Sequence, residues 1–144
     1  MKVPNDRSEF GYIVDETHKF SLLLESREIF LNGALDHEED NGVDFKMSTI
    51  FLKNMRILEN MGDDPIIVHQ YSVGGGWTEG MVIYDAIRNS HCQVIIVCHG
   101  LASSMGSIIP QAADLRLIMP SAWFLVHDGT TSINEELSVR ASNK

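Results

Sequence analysis

A strand-like segment in the middle of the chain, residues 93–98, most constrains what this sequence can fold into, because the five residues after its first glutamine form an unbroken apolar run. Such a run is typical of a strand inside a parallel sheet that is covered on both faces. Two further strand-like runs precede it, at residues 28–33 and 66–71, and a segment with helical spacing lies before each later strand. Alternating strands and helices imply right-handed βαβ crossovers. The sequence therefore predicts an α/β fold with a mainly parallel sheet.

The helix before residue 66 has the clearest pattern. Asp44 is a suitable N-cap, and Gly62 is a suitable residue for the helix end. Between them, apolar residues recur at steps of three and four, as on one face of a helix: Met47, Ile50, Phe51, Met55, Leu58 and Met61. Similar but weaker patterns predict helices at residues 20–24, 78–89 and 104–113, and strands at 115–119 and 123–127. A capping box at residues 132–135 predicts one or two further helical turns.

Composition and charge exclude several classes of protein. A chain of 144 residues, 44% of them hydrophobic, can build one core. It has no apolar run long enough for a membrane span and no apolar stretch after a basic start, so neither a membrane helix nor a secretory signal is expected. The net charge of −9 disfavours nucleic acid and anionic membranes as partners. Part of that charge is an acidic stretch at residues 36–44, which we interpret as a solvated loop or helix start.

The two cysteines, Cys92 and Cys98, do not suggest a disulfide framework or a metal site. Six extended residues separate them by roughly 20 Å, so they cannot bind one ion. Unpaired thiols fit a reducing, cytoplasmic setting.

Three consecutive glycines, Gly74, Gly75 and Gly76, directly follow the strand predicted at residues 66–71. In a parallel sheet, ligands bind at the carboxyl ends of the strands, where such a turn lies. The glycine amides could bind a phosphate or a developing oxyanion. The spacing matches neither a P-loop nor the full dinucleotide fingerprint, however, and the turn taken alone is better explained as structural.

A second strand-to-helix junction, at residues 100–107, is crowded with small residues and includes Ser103 and Ser104. A serine in the first turn of a helix suits a nucleophile, because its hydroxyl is exposed and nearby amides can stabilise an oxyanion. The junction is not the Gly-x-Ser-x-Gly elbow of α/β-hydrolases. Helix capping alone would explain either serine.

A serine nucleophile needs a general base, and His127 has the most suggestive position among the six histidines. It follows the apolar strand-like run at residues 123–126, so it could reach a serine at a neighbouring junction. A surface position at the strand end is the alternative. His69 is predicted to lie half-buried in mid-strand, and the remaining histidines are predicted to be exposed: His18, His37, His91 and His99.

Four stretches of the chain, in the same order, resemble the ClpP family, the proteolytic subunits of the ATP-dependent Clp protease. They are SLLLESREIFLNG at 21–33, SVGGGWTEGMVIYD at 72–85, GLASSMG at 100–106 and LIMPSAWFLVH at 117–127. The resemblance implies the ClpP/crotonase-like α/β fold, built of repeated β-β-α and βαβ units. It also implies a head domain at residues 21–130, preceded by an N-terminal segment at 1–20 that is a candidate axial loop. Residues 131–144 would be a short tail that begins a truncated handle helix.

The resemblance also implies a serine endopeptidase that hydrolyses peptide bonds in unfolded proteins or peptides. Ser104 matches the nucleophile, His127 matches the general base, and Gly75 and Met105 match the backbone donors to the oxyanion. No metal or other cofactor is implied, because ATP would be used only by a partner unfoldase. The family assembles into seven-membered rings, so the implied partners are further copies of the chain, a Clp-type ATPase or full-length ClpP. The implied location is the cytoplasm, or the host cytoplasm for a phage protein.

Several positions depart from the family pattern. Val73 stands where the family has a proline in the glycine turn, and Pro110 falls within the nucleophile helix, where it removes a hydrogen bond. The family's third catalytic residue is an aspartate well beyond the histidine, and no such residue is found here. Asp128 is a poor substitute because adjacent side chains of a strand point to opposite faces, and nothing supports Asp114. We therefore expect weak activity, and single rings or smaller assemblies without stacking through the handle.

Two other functions are considered beside the peptidase. The first is a non-catalytic ring component that assembles with or regulates full-length ClpP subunits. The second is a crotonase-type acyl-thioester enzyme, which shares the fold and a pair of oxyanion-binding amides. The Ser-Met-Gly motif and the strand-end histidine argue against the second, because crotonases need no serine nucleophile. His69 falls within the surface on which the family docks its ATPase, which makes docking of that partner uncertain.

Overall fold

The computed structural model describes residues 7–32 and 42–129. The helices are α1 (Arg7–Phe20), α2 (Phe45–Met61), α3 (Trp77–Arg88) and α4 (Met105–Ile108), and α4 continues directly into a 3-10 helix, Ile109–Ala112. The strands are β1 (Leu22–Leu23), β2 (Glu28–Asn32), β3 (Ile66–Ser72), β4 (Val94–Ser103), β5 (Leu115–Ile118) and β6 (Trp123–Leu125).

The six strands form one sheet in the order β1-β2-β3-β4-β5, and β6 also pairs with β4. The pairing of β1 with β2 is antiparallel, and the other described pairings are parallel. Strand β4 has two partners on the same side: its first half pairs with β5, and its last residues, Leu101–Ser103, pair with β6. The predicted α/β class with a mainly parallel sheet is confirmed.

The core lies between one face of the sheet and helices α2 and α3. Side chains in β2, β3 and β4 alternate between fully buried and half-buried, as expected for a pleated strand. The buried set packs against Phe51, Met55 and Leu58 of α2 and Ile83 and Ile87 of α3. The opposite face, which includes Ile95 and Val97, is only half-buried. The expectation of a sheet fully covered on both faces is therefore wrong for the described part of the chain.

Helix α2 has the bounds that its apolar spacing predicts. The Asp44 side chain caps it, because the Met47 amide donates to Asp44 Oδ1 at 2.8 Å. At its other end the chain turns at Gly62, whose φ of +142° is unfavourable for any residue with a Cβ. The strands predicted from residues 28, 66 and 115, and the helix predicted at 78–89, are also confirmed to within one or two residues.

The helix predicted at residues 20–24 is wrong. Phe20 is the last residue of α1, and Leu22–Leu23 form β1 beside β2. Ser21 ends the helix with a φ of +54°, and its carbonyl accepts a hydrogen bond from the Phe30 amide at 2.9 Å. Pairing with β2 thus overrides the local apolar pattern. The preceding polar segment is helical from Arg7.

The junction predicted at residues 100–107 begins later than expected, because β4 continues to Ser103. Gly100 has a φ of +54° and marks an irregularity in the strand, after which pairing with β6 resumes the extended conformation. The helix predicted at 104–113 changes from α to 3-10 at Ile109, next to Pro110.

Some predictions fall outside the described residues. They concern the acidic stretch up to residue 41, His37, the capping box at 132–135 and the short tail at 131–144. Within the part of the chain that the structure covers, no helix is both long enough and apolar enough to cross a membrane.

Candidate active site

Ser104 lies between the end of β4 and the first residue of α4, and its backbone is strained. Its φ of +54° and ψ of −123° are rarely adopted by residues with a side chain. Such a conformation costs on the order of 1–3 kcal/mol and is concentrated at functional sites. Hydrogen bonds hold it in place: the Ser104 amide donates to the Leu125 carbonyl at 3.0 Å. The Ser104 carbonyl accepts from both the amide and the hydroxyl of Ser107, at 2.8 and 2.7 Å.

The glycine turn is held by Val43, which precedes α2. The Val43 amide donates to the Gly74 carbonyl, and the Gly76 amide donates to the Val43 carbonyl, each at 2.8 Å. These two hydrogen bonds form a parallel β-bridge between Val43 and Gly75, and they use the carbonyl of Gly74 and the amide of Gly76. The amide of Gly75 itself therefore points away from Val43. A Cβ on Gly75 would lie 2.4 Å from the Val43 amide nitrogen, so only glycine fits here. Gly75 is exposed, and its amide is available to a ligand.

The glycine turn and the serine turn are in direct contact. A Cβ on Gly74 would lie 2.6 Å from Ser104 Cβ and 3.1 Å from the Met105 amide nitrogen. Met105 is the first residue of α4, and the first amides of a helix have no partner within it. The structure therefore brings Gly75, Ser104 and Met105, three of the four predicted site residues, into one small region. Two backbone donors beside a hydroxyl are the elements of an oxyanion site.

His127 lies at the same edge of the sheet as Ser104. Strand β6 runs parallel to β4, with Leu125 opposite Ser103, and His127 follows two residues later. The imidazole is exposed, and its Nδ1 lies 2.8 Å from the carbonyl oxygen of Asp128. Because a carbonyl only accepts, Nδ1 carries the proton of the neutral ring and Nε2 is left as the base. His127 and Ser104 are both among the described residues, and no hydrogen bond joins them in this conformation. Catalytic hydrogen bonds are often loose before substrate binds.

The structure argues against both aspartates as a third catalytic residue. The Asp114 carboxylate accepts from the Val94 amide at 2.7 Å, at the beginning of β4. Ser104 follows the other end of this 10-residue strand, which is about 33 Å long at about 3.3 Å per residue. Asp128 is exposed, and its carbonyl rather than its carboxylate contacts His127.

His69 and His99 belong to a separate cluster on the half-buried face of the sheet. His69 Nε2 lies 2.8 Å from Glu28 Oε2, its Nδ1 lies 3.0 Å from His99 Nε2, and its ring stacks on Phe30. The half-buried position predicted for His69 is confirmed. The exposed strand-end position predicted for His99 is wrong, because β4 continues four residues beyond it.

The structure also describes two of the other predicted surface histidines and both cysteines. His18 and His91 are exposed, as predicted, and His91 pairs with Asp63 at 3.2 Å. Cys92 and Cys98 are unpaired and buried, and burial raises the pKa of the Cys98 thiol, which keeps it protonated. In the described ranges, no group of three or more His, Cys, Asp or Glu side chains is arranged to hold a metal ion.

Two residues that position the site are absent from the sequence-based prediction. The sequence gives no sign of the role of Val43, because Val43 holds the glycine turn through its backbone amide and carbonyl alone. Gln70 is fully buried, and its Nε2 donates to the Gly106 carbonyl at 2.6 Å. Its signal was available: Gln70 is in phase with Ile66 and Val68, so the alternation of β3 directs a polar side chain into the core.

The fold is shared with solved ClpP structures. ClpP1 from Listeria monocytogenes superimposes with a TM-score of 0.69 at 24% identity, over 83% of this chain and 67% of that one. Its N165D mutant superimposes with a TM-score of 0.68 at 23% identity. At this level of identity the likeness concerns the fold alone.

Sequence comparison adds the family. The Clp protease family model matches residues 14–140, and the chain belongs to that family. The ATP-dependent Clp protease proteolytic subunit 2 of Pseudomonas aeruginosa is 35% identical over 112 residues, which are 76% of this chain and 52% of that protein. The corresponding subunit 2 of Mycobacterium bovis is 29% identical over 130 residues, 88% of this chain and 56% of that protein. The chain thus spans about half the length of these relatives.

Proposed function

We propose that this chain is a ClpP-like serine endopeptidase subunit that cleaves peptide bonds in unfolded proteins or peptides. The observation that carries the proposal is the strained backbone of Ser104, packed against a glycine turn whose exposed Gly75 amide is free to bind an oxyanion. A residue that served only as a helix cap would not need this strain, and the Ser104 side chain makes no capping hydrogen bond.

In the proposed reaction, Ser104 Oγ attacks the peptide carbonyl while His127 Nε2 takes its proton. The Gly75 and Met105 amides donate to the oxyanion that forms, and His127 then protonates the leaving amine. Water, deprotonated by the same imidazole, releases the acyl group from Ser104. These residues need no metal or other cofactor for this chemistry. ATP would enter only through a partner unfoldase, as the names of the ATP-dependent relatives suggest.

We expect the turnover to be weak. The Asp128 carbonyl keeps the proton of His127 on Nδ1, so the tautomer is the productive one. A carbonyl carries only a partial charge, however, and stabilises the imidazolium less than a carboxylate does. Where an amide replaces the third member of a triad and also selects the wrong tautomer, turnover falls by about 10⁴, which is the upper limit of the loss expected here.

The proposed assembly is a homo-oligomer, with a seven-membered ring as in the family that the sequence resembles. A Clp-type ATPase or full-length ClpP subunits are the proposed partners, and the proposed location is the cytoplasm. The buried, unpaired thiols of Cys92 and Cys98 suit a reducing compartment.

A non-catalytic ring component is the second candidate. It is favoured by one observation: within the described residues, no hydrogen bond joins His127 to Ser104, and no carboxylate contacts the His127 ring. The crotonase-type alternative gains no such support, because the family matched is the Clp protease.

Labelling with a fluorophosphonate probe separates the two candidates. We expect the folded protein to be labelled, Ser104→Ala to lose labelling, and Ser103→Ala to retain it as the neighbouring control. His127→Gln should slow labelling by about 10²–10⁴, the usual contribution of a general base. Labelling that persists in Ser104→Ala would overturn the assigned nucleophile. No labelling of the folded wild-type protein would favour the non-catalytic ring component.

A further inference from the structure

The nucleophile helix has a gap in its hydrogen bonding. In an α-helix each carbonyl accepts from the amide four residues later, and for Gly106 that residue is Pro110, which has no N–H. The amide of Ile109, which precedes Pro110, does not fill the gap, because it donates to the Met105 carbonyl. Gly106 is buried, so water does not reach its carbonyl freely. An unpaired carbonyl here would be costly.

Gln70 fills this gap from the adjacent strand. Its side chain is 0% exposed, and its Nε2 lies 2.6 Å from the Gly106 carbonyl oxygen. The second contact of Nε2, to Cys98 Sγ at 3.9 Å, is weak. The Gln70 Oε1 atom is buried without a partner among the described residues. A buried side-chain amide whose oxygen has no hydrogen-bond partner destabilises the fold, and the hydrogen bond from Gln70 to Gly106 offsets part of that desolvation cost.

The same strand also contacts the glycine turn. Two residues after Gln70, the Ser72 hydroxyl accepts from the Gly74 amide at 3.1 Å. A Cβ on Gly106 would lie 2.9 Å from Ser72 Cβ, so α4 packs closely on the end of β3. Strand β3 is thus bonded to the glycine turn through Ser72 and to the nucleophile helix through Gln70. These two contacts connect one strand to both parts of the candidate site.

We propose that Gln70 is a positioning residue, which replaces the hydrogen bond that Pro110 removes and so aligns Ser104 and the Met105 amide with the glycine turn. The effect of Gln70 on catalysis rests on the proposed peptidase function. The coupling between Gln70 and Pro110 is independent of that function, because it is a property of the folded chain.

A double-mutant cycle tests the proposal with four proteins: wild type, Gln70→Met, Pro110→Ala and the double variant. Methionine matches the length of glutamine but has no N–H, so Gln70→Met should slow fluorophosphonate labelling of Ser104 by about 10-fold or more, since small misplacements are costly. In the Pro110→Ala background, residue 110 regains an amide for the Gly106 carbonyl. The same Gln70→Met change should then slow labelling less than about 2-fold. Gln93→Met, an exposed glutamine before β4, is the control and should not alter the rate.

Equal effects of Gln70→Met in the two backgrounds would overturn the proposal. A general loss of packing would give that result, because it would not depend on the amide of residue 110. Denaturation midpoints of the same four proteins provide the second readout. If the folded wild type is not labelled at all, the proposed peptidase function is wrong, and the denaturation midpoints alone test the coupling of Gln70 to Pro110. Non-additive changes in the midpoints support the replacement of the hydrogen bond, and additive changes overturn it.

Discussion

At the scale of single residues, the candidate site depends on the absence of a Cβ at Gly74. Gly74 has a φ of +100° and lies against both Ser104 and the Ser103 carbonyl. A methyl group here would meet backbone atoms, which cannot move aside as a flexible side chain would. Glycine at position 74 is therefore required by the contact with Ser104, the proposed nucleophile, as well as by its own conformation.

We predict that Gly74→Ala destabilises the protein by about 1–3 kcal/mol and abolishes fluorophosphonate labelling. The positive φ costs about 1–2 kcal/mol for alanine, and the clash with Ser104 adds to it. Denaturant titration gives the free energy of unfolding. Gly11→Ala is the control, because nothing lies within 4 Å of a Cβ at this helical position and alanine favours a helix. Labelling of Gly74→Ala at the wild-type rate would contradict the contact described.

His127 shows how a backbone group can take over part of a side chain's function. The Asp128 carbonyl orients the ring and selects its tautomer, but it provides no full negative charge. Neither of the two aspartates considered for this role supplies the charge, because Asp114 is at the far end of β4 and the Asp128 carboxylate is exposed.

At the scale of secondary-structure elements, Arg27 holds the end of α2. Its guanidinium donates to the carbonyls of Leu58 and Gly62, at 3.0 and 3.1 Å, and its Nε donates to the Asp64 carbonyl at 3.1 Å. The last carbonyls of a helix have no partner within it and carry partial negative charge, so a cation is favourable there. This one side chain connects the segment before β2 to α2 and to the turn before β3.

We predict that Arg27→Lys lowers the free energy of unfolding by about 1.5–3 kcal/mol. Lysine keeps the charge but cannot reach three carbonyls with one planar group, and hydrogen bonds to charged groups are worth about that much. Arg56→Lys is the matched control, because the Arg56 side chain is 71% exposed and should change stability by less than about 0.5 kcal/mol. Equal losses in the two variants, measured by denaturant titration, would refute this account of Arg27.

At the scale of the whole molecule, the strands β5 and β6 leave a large apolar surface uncovered. The exposed side chains on and beside them are Leu115, Leu117, Ile118, Met119, Trp123, Phe124, Leu125 and Val126, each at least 43% exposed. Large exposed apolar surfaces are uncommon on monomers, and many of them are interaction sites. It agrees with the proposal that the chain assembles with further subunits.

We predict that the 144-residue chain is not a monomer, and that Leu117→Glu shifts it towards smaller species. A buried charge without a partner opposes association. Native mass spectrometry and light scattering measure the result, with Leu52→Glu, at a similarly exposed site on α2, as the control. A monomeric wild type, or an unchanged assembly in Leu117→Glu, would contradict the prediction. A double-ring mass would contradict the sequence-based expectation of single rings or smaller assemblies.

The accuracy of the sequence-based prediction varied with the range of the interactions involved. Helix α2 was predictable because Asp44, its apolar spacing and Gly62 are local signals. The segment at residues 20–24 was not, since β1 forms only through pairing with β2, and β4 reached Ser103 only through pairing with β6. Within the site, resemblance to the ClpP family indicated Ser104, Gly75 and Met105, which the structure brings together. It gave no sign of Val43, whose backbone holds the glycine turn.

The sequence by itself determined the α/β class, the order of most elements and the family, because apolar periodicity and short motifs are properties of neighbouring residues. Only the tertiary structure decided what surrounds Ser104. The contact of Ser104 with Gly74 and the hydrogen bond from Gln70 to Gly106 each join segments more than 25 residues apart. No local pattern encodes such contacts, since they arise when packing of the core brings the ends of β3, β4 and β6 to one edge of the sheet.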